Sequence, residues 1–522
     1  TLRCMNILAK AHESLGEAKE SRRLLEEVLA VSDKSLGADH HVALVAATDL
    51  GLCLQQLGDY GEAETTFKRV LKTREKVFGP VHARTLSTKA LLGTLLSESG
   101  RKREAETLLR DSLAGLESEL GPRHPLTLSA MTMLANQLRS DGQTEEAERL
   151  LRRAAETSKE VFGPTHHACL GTLNDLANTL AESRKLEEAE SWLRHCATRF
   201  AEKFGEESSS CLMALNNLAL VLKESGELAQ AETIHRKCLE IHKRTKGDCH
   251  PETLRTLNNL ANLARQQKQL DSAEELYRDA LEGWLKSAGP NHHQTLRVSS
   301  NLAMLLAEKG QIEETIRIFR GVLPRWEELR GSEDKDVLST TSRLGWALWK
   351  NECYEEACSY TERVYVGRAK TLGEYHEETL QSLEFLAVIT EKKGDNEAAL
   401  ALYEKLLKGR RRSLGEEDRA TLKAMRRVAL LRKQTGDYEA AEQAYGTALA
   451  GFEKICGALH PDTLQAAVGF AVLYKTQNRI EEEKAIYHRF LPPEAELNEE
   501  LNPAQTKFIS AMRKRLRELQ AA

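Results

Sequence analysis

Glycine recurs at Gly37, Gly79, Gly121, Gly163, Gly205, Gly247, Gly289, Gly331, Gly373, Gly415 and Gly457, each 42 residues after the last. A leucine follows every one of them seven residues later, from Leu44 through Leu254 to Leu464. Eleven matches in register without an insertion exclude chance, and self-similarity at such a period marks a stacked helical array. The stretch Leu254 to Leu296 shows the unit plainly: one helix, a short break, a second helix, and a loop carrying Gly289.

Each helix of the unit carries a small residue at a fixed phase. The first series runs Ala9, Gly51, Gly93, Ala135, Ala177, Ala219, Ala261, Ala303, Gly345, Ala387, Ala429 and Ala471. The second runs Ser21, Ala63, Ala105, Ala147, Ala189, Ala231, Ala273, Thr315, Ala357, Ala399 and Ala441, and Glu483 breaks it. Short side chains let two helix axes approach closely, as a tight antiparallel pair requires. The last hairpin is therefore expected to be looser or differently covered.

Glycine also ends the first helix at Gly16, Gly58, Gly100, Gly142, Gly226, Gly310, Gly394 and Gly436, with Arg184, Lys268, Glu352 and Asn478 at the other breaks. Asp59, Asp395 and Asp437 follow three of these glycines, where a carboxylate caps the next helix. Threonines such as Thr85, Thr253 and Thr463 precede the recurring leucine and belong to the N-cap or first turn of the next unit. After the array, Leu491-Pro492-Pro493 stops the last helix and an acidic stretch follows. A final amphipathic helix over about 504–520 then presents Phe508, Ile509, Met512, Leu516 and Leu519 on one stripe. The reading is a repeat array over 1–490, a linker over 491–503 and a capping helix over 504–522.

Segments such as TLNNLA, EAE and LGPRHPLTL resemble the tetratricopeptide repeat of the kinesin light chain type, over about residues 2 to 490. No heptad segment for heavy-chain binding is visible, and the array is longer than that of kinesin light chain itself. The same repeats occur in nephrocystin-3-like proteins and in large signalling proteins. The resemblance implies an all-α, right-handed superhelical solenoid of about twelve helix-turn-helix units, whose first helices line a concave groove that binds protein segments.

On that frame, two groups of residues face the groove. Three consecutive units supply Asn174, Asn178, Asn216, Lys223, Asn258, Asn262 and Arg265, with Asn217 and Asn259 alongside. An amide offers both a donor and an acceptor, so a ladder of them suits an extended peptide backbone. The competing reading is that some of these amides bond between neighbouring helices. Further along, the groove turns apolar, and Trp346 and Trp349 share one helical face as candidate interface anchors. Trp284 and Trp326, on second helices, are expected to pack between repeats.

Other features read as structural. The loop histidines His40, His82, His124, His166, His250, His292, His376 and His460 share the 42-residue period, and without a ligand cluster they suit loop capping better than metal. Lys408, Arg410, Arg411 and Arg412, with Arg426, Arg427 and Lys433, form a basic run able to receive an acidic or phosphorylated segment, or simply a solvated helix end. A net charge of −5 with both signs interspersed argues against nucleic acid or an anionic membrane as the main partner. No apolar run is long enough to span a bilayer.

Ten cysteines without a CxxC pair fit a reduced, intracellular, cytoplasmic protein. No phosphate loop, HExxH, GxSxG or dinucleotide fingerprint occurs, so neither enzyme activity nor a cofactor is expected. Because Thr1 falls inside a helical pattern, further residues are expected upstream. The function expected is that of a scaffold or adaptor holding a peptide-like or helical segment of a partner. The alternatives are a regulatory array of a larger signalling protein, or an architectural subunit.

Overall fold

The structure is a computed structural model that describes residues 2–14, 17–492 and 503–521. Thr1, Gly16 and most of the expected linker lie outside the described residues. Among the described residues there are 25 helices and no strand. They are α1 (Leu2–Ser14), α2 (Ala18–Ser35), α3 (His41–Leu57), α4 (Tyr60–Phe78), α5 (Ala83–Glu98), α6 (Lys102–Leu120), α7 (Pro125–Ser140), α8 (Thr144–Phe162), α9 (His167–Glu182), α10 (Leu186–Phe204), α11 (Ser209–Glu224), α12 (Leu228–Lys246) and α13 (Pro251–Gln266). The chain continues through α14 (Leu270–Ser287), α15 (His293–Glu308), α16 (Ile312–Arg330), α17 (Lys335–Lys350), α18 (Tyr354–Leu372), α19 (Glu377–Lys393), α20 (Asn396–Leu414), α21 (Arg419–Thr435), α22 (Tyr438–Cys456), α23 (Pro461–Thr476), α24 (Ile480–Phe490) and α25 (Pro503–Ala521). Odd-numbered helices from α1 to α23 are the first of each hairpin and even-numbered ones the second. The chain forms two compact units, Thr1–Glu314 with Pro324–Arg330, and Thr315–Leu323 with Gly331–Ala522.

Both small-residue series lie where helices meet. Ala135, Ala177 and Ala219 on first helices, and Ala147, Ala189 and Ala231 on second helices, are fully buried. A Cβ on Gly51 would sit 2.7 Å from the Phe67 ring, and one on Gly93 would sit 2.9 Å from Leu109. Glycine at these two positions is thus a response to a bulky side chain opposite.

Backbone geometry explains why one glycine series has exceptions and the other has none. At the break within a hairpin, Gly58 has φ 84° and ψ 7°, the left-handed helical region. Other residues enter that region at modest cost, and Arg184, Lys268, Glu352 and Asn478 do so with φ between 59° and 64°. In the longer loop, Gly79 has φ 91° and ψ 163°, a region open essentially to glycine alone.

The loop histidines are helix caps. In all eight, Nδ1 accepts the backbone N–H two residues on, at 3.1–3.3 Å. The threonine three residues after the cap lies in the first turn, and its hydroxyl returns to the loop glycine, as Thr85 does to the Gly79 carbonyl at 2.9 Å. Asp395 and Asp437 cap α20 and α22 as expected. Asp59 does not cap α4, because Arg22 draws its carboxylate into an ion pair at 2.7 Å.

The first unit also makes a contact across 236 residues. His292, in the loop before α15, donates from Nε2 to the Gln56 carbonyl at 3.1 Å, and the Tyr60 hydroxyl lies 3.4 Å from His293 Nδ1. Trp284 is buried and stacks on His292 at 5.2 Å; Trp326 is likewise buried. In the second unit, α25 packs against α23 and α24. Its Ile509, Met512 and Leu519 join Tyr487 and Phe490 in one apolar cluster. Glu483, the break in the small-residue series, is fully buried and accepts from Arg515 of α25 at 2.9 Å.

Candidate partner-binding groove

Half of the asparagine ladder is used to hold hairpins together. Asn217 donates from Nδ2 to Asn174 Oδ1 at 3.0 Å, and Asn301 donates to Asn258 Oδ1 at 3.0 Å, each across 43 residues. The two acceptors are buried. Asn216 accepts from His235 Nδ1 at 3.0 Å and donates to Thr256 Oγ1 at 3.5 Å. Burial lowers the His235 pKa to about 4, so its ring is neutral and serves as a donor within the stack.

The remaining polar groups face outward. Asn262 accepts the Tyr277 hydroxyl at 2.6 Å, which fixes its amide plane and leaves its Nδ2 donors unused among the described residues. Arg265 reaches Glu308, one hairpin on, at 2.9 Å. Asn178, Asn259 and Lys223 are half-buried and make no side-chain hydrogen bond among the described residues. Lys223, Asn258, Asn259, Asn262 and Arg265 line one depression of about 580 Å³ together with Asn301 and Glu308. Asn174, Asn178, Asn216 and Asn217 are not part of its lining.

Sequence reasoning passed over Asn301, Arg297, Gln266, Lys268 and Glu308 as site residues, although all line the depression. The signal for Asn301 was present, since it stands one repeat after Asn259 and two after Asn217. Lys223, Arg265, Lys268 and Arg297 outnumber the single carboxylate of Glu308. Such a surface presents cations and unused amide donors to whatever enters it.

Trp346 and Trp349 belong to the second unit and are half-buried. Trp349 meets the Phe385 ring of the next first helix edge-on at 5.8 Å. The Lys350 ammonium lies over both indoles, 5.8 Å and 5.0 Å from their centroids. Trp349 thus packs through its edge, and both indoles stay partly accessible.

The basic run divides by direction. Arg410 is buried, pairs with Glu384 at 2.6 Å and donates to the Ala420 carbonyl at 3.1 Å. Lys408, Arg411 and Arg412 are exposed. No group of three His, Cys, Asp or Glu residues suited to a metal occurs among the described residues. All ten cysteines are free thiols, and burial pushes Cys196 and Cys238 up to about 12, so these two are unreactive packing groups. Among the described residues no helix is long and apolar enough to cross a membrane.

Helix hairpins repeating every 42 residues define a helical-repeat protein. The tetratricopeptide repeat profile matches residues 1–76, 43–118, 126–202, 210–286, 258–328, 336–412, 379–454 and 418–489. The chain belongs to the tetratricopeptide repeat family. Among solved structures it is similar to a protein of Podosopora anserina described as a kinesin light chain with nearly identical TPR-like repeats. The identity there is 25%, over 39% of this chain and 96% of that one, with a TM-score of 0.33. BtubC (BKLC) from P. vanneervenii is 18% identical over 53% of this chain and 92% of its own, with a TM-score of 0.32. Among curated proteins no sequence matches the chain.

Proposed function

We propose that this chain is a protein–protein interaction scaffold that grips an extended segment of a partner in the depression formed by α11, α13 and α15. The observation that carries this reading is the convergence of Asn259, the Nδ2 of Asn262 and Lys223, all without side-chain partners for those donors among the described residues, on one depression. A peptide backbone presents carbonyls at regular spacing and satisfies such donors, and a carboxylate on the segment suits the excess of cations. The half-buried indoles of Trp346 and Trp349 supply a second, apolar anchoring point. Binding, and neither catalysis nor nucleic-acid recognition, is the proposed activity, in a reduced intracellular setting. We further propose that residues 504–522 cap the last hairpin.

Site-specific photo-crosslinking tests the groove reading. A benzophenone amino acid at position 259 is expected to capture partner segments from native extract, while one at exposed Arg236 on α12 captures none of them. Capture from position 236 alone would move recognition to the second helices.

A further inference from the structure

Two devices close the space between consecutive second helices along much of the array. One is an ion pair across 36 residues, from Arg110 to Glu146 at 2.9 Å, Arg152 to Glu188 at 2.9 Å, and Arg320 to Glu356 at 2.6 Å. The other is a large side chain at one repeat position, held by Leu150, Trp192, Ile234, Leu276, Ile318, Tyr360 and Leu402; Leu150, Trp192, Ile234 and Leu402 pack against the apolar core there.

Both are missing between α20 and α22. Glu404 and Ala440 stand at the ion-pair positions, and Glu404 turns to Arg432 of α21 at 2.8 Å. Ala444 stands where Leu402 stands one repeat earlier. The space left is a depression of about 680 Å³ bounded by α20, α21 and α22, and its apolar lining includes Leu407, Met425 and Val428. Lys408, Arg411, Arg412 and Arg432 outnumber Glu404 and Glu416 around it. Arg411 and Glu416 are 3.7 Å apart, and Lys408 has no carboxylate partner among the described residues.

We propose that this depression docks an acidic segment of a partner protein, which places one leucine-sized side chain in the space left by Ala444 and sets carboxylates against Lys408 and Arg411. Apolar burial and charge complementarity act together here. An acidic side chain alone would leave the apolar lining uncovered, and an apolar one alone would leave Lys408 unpaired. The site is separate from the α11–α15 groove, and each can stand or fall without the other.

Fluorescence anisotropy at low salt tests the proposal on the full chain. The probe is a labelled Glu-Asp-Glu-Leu-Glu-Asp-Glu peptide, beside its counterpart with alanine in place of leucine. The native chain is expected to bind the leucine peptide about tenfold more tightly than the alanine peptide. Ala444→Leu restores the side chain of the preceding repeat and is expected to remove that preference while the thermal melt stays as in the native chain. Lys408→Glu with Arg411→Glu should weaken both peptides. Lys223→Ala with Asn259→Ala should bind the probe as the native chain does.

Equal affinity of the native chain and Ala444→Leu for the leucine peptide overturns the proposal. So does loss of binding in the Lys223→Ala/Asn259→Ala variant, which would put the probe in the other groove. Self-association of the native chain that Ala444→Leu abolishes would make the occupant a second copy, and would overturn it as well.

Discussion

Asn301 donates its amide to Asn258, one hairpin back, at 3.0 Å, while Asn259 beside it bonds to no side chain among the described residues. Two adjacent asparagines of one motif thus have different uses. Asn258→Ala is expected to destabilise the first unit by about 1 kcal/mol, since Asn301 loses its buried acceptor. Asn259→Ala should leave thermal stability unchanged and weaken partner capture. Differential scanning calorimetry beside a binding titration separates the two; equal loss of stability in both variants would assign both amides to the stack.

Trp349 has a structural share and is only half-buried. Its edge-on contact with Phe385 is of a kind worth about 0.5–1.5 kcal/mol beyond burial. Trp349→Ala should therefore lower the melting midpoint of the second unit modestly and also reduce partner capture. Trp346 makes no ring–ring contact among the described residues, so Trp346→Ala should reduce capture with less effect on melting. An unchanged partner list in the double variant would confine both indoles to packing.

The two glycine series make opposite predictions. Gly79→Ala forces a side chain into a conformation that costs on the order of 1–3 kcal/mol. Lys268→Gly relieves a left-handed non-glycine residue and should be neutral or stabilising by less than ~1 kcal/mol. Chemical denaturation of both variants measures the contrast, and similar midpoints would refute it.

Arg515 and Glu483 tie the last helix to the last hairpin. Arg515→Ala leaves a buried carboxylate without its cation, at a cost of roughly 1–3 kcal/mol. Faster amide exchange in α25 and α24 should report the loss. Adding Glu483→Ala, which restores the small residue of the other repeats, should recover protection. Exchange that stays slow in Arg515→Ala would show that the apolar stripe alone holds α25.

Acid should destabilise the first unit. Burial lowers His235 and His242 to about 4 and His293 to about 3, each below the ordinary histidine value near 6.5. The unfolded chain therefore takes up these protons first as the pH falls. Their contribution is intact above about pH 6.5 and declines from there toward about pH 4 for His235 and His242 and about pH 3 for His293. Asp175, raised by burial to about 6, and Glu13, Asp49 and Glu98, also raised by burial, work in the opposite sense. Carboxylates held low by cations, such as Glu64, Glu148, Glu252 and Glu274, act with the imidazoles. Unfolding midpoints recorded between pH 7 and pH 5 should fall, and His293→Gln should flatten the slope.

The repeat, its hairpin breaks, its histidine caps and the buried small residues were all legible in the sequence, because each follows from local backbone geometry or from contacts at a fixed spacing that recurs in every unit. A glycine at φ 91° and ψ 163° leaves its mark in any chain that must adopt it. What tertiary structure alone decided was the use of residues that share a repeat phase. Asn216 and Asn258 stand three residues before the small position, yet only Asn258 lines the depression. Periodicity assigns a residue to a face of its helix. It cannot say which neighbour satisfies it, and here His235, Tyr277 and Asn301 settled that for Asn216, Asn262 and Asn258. Arg410 turned inward for the same reason: Glu384, on another helix, was there to meet it.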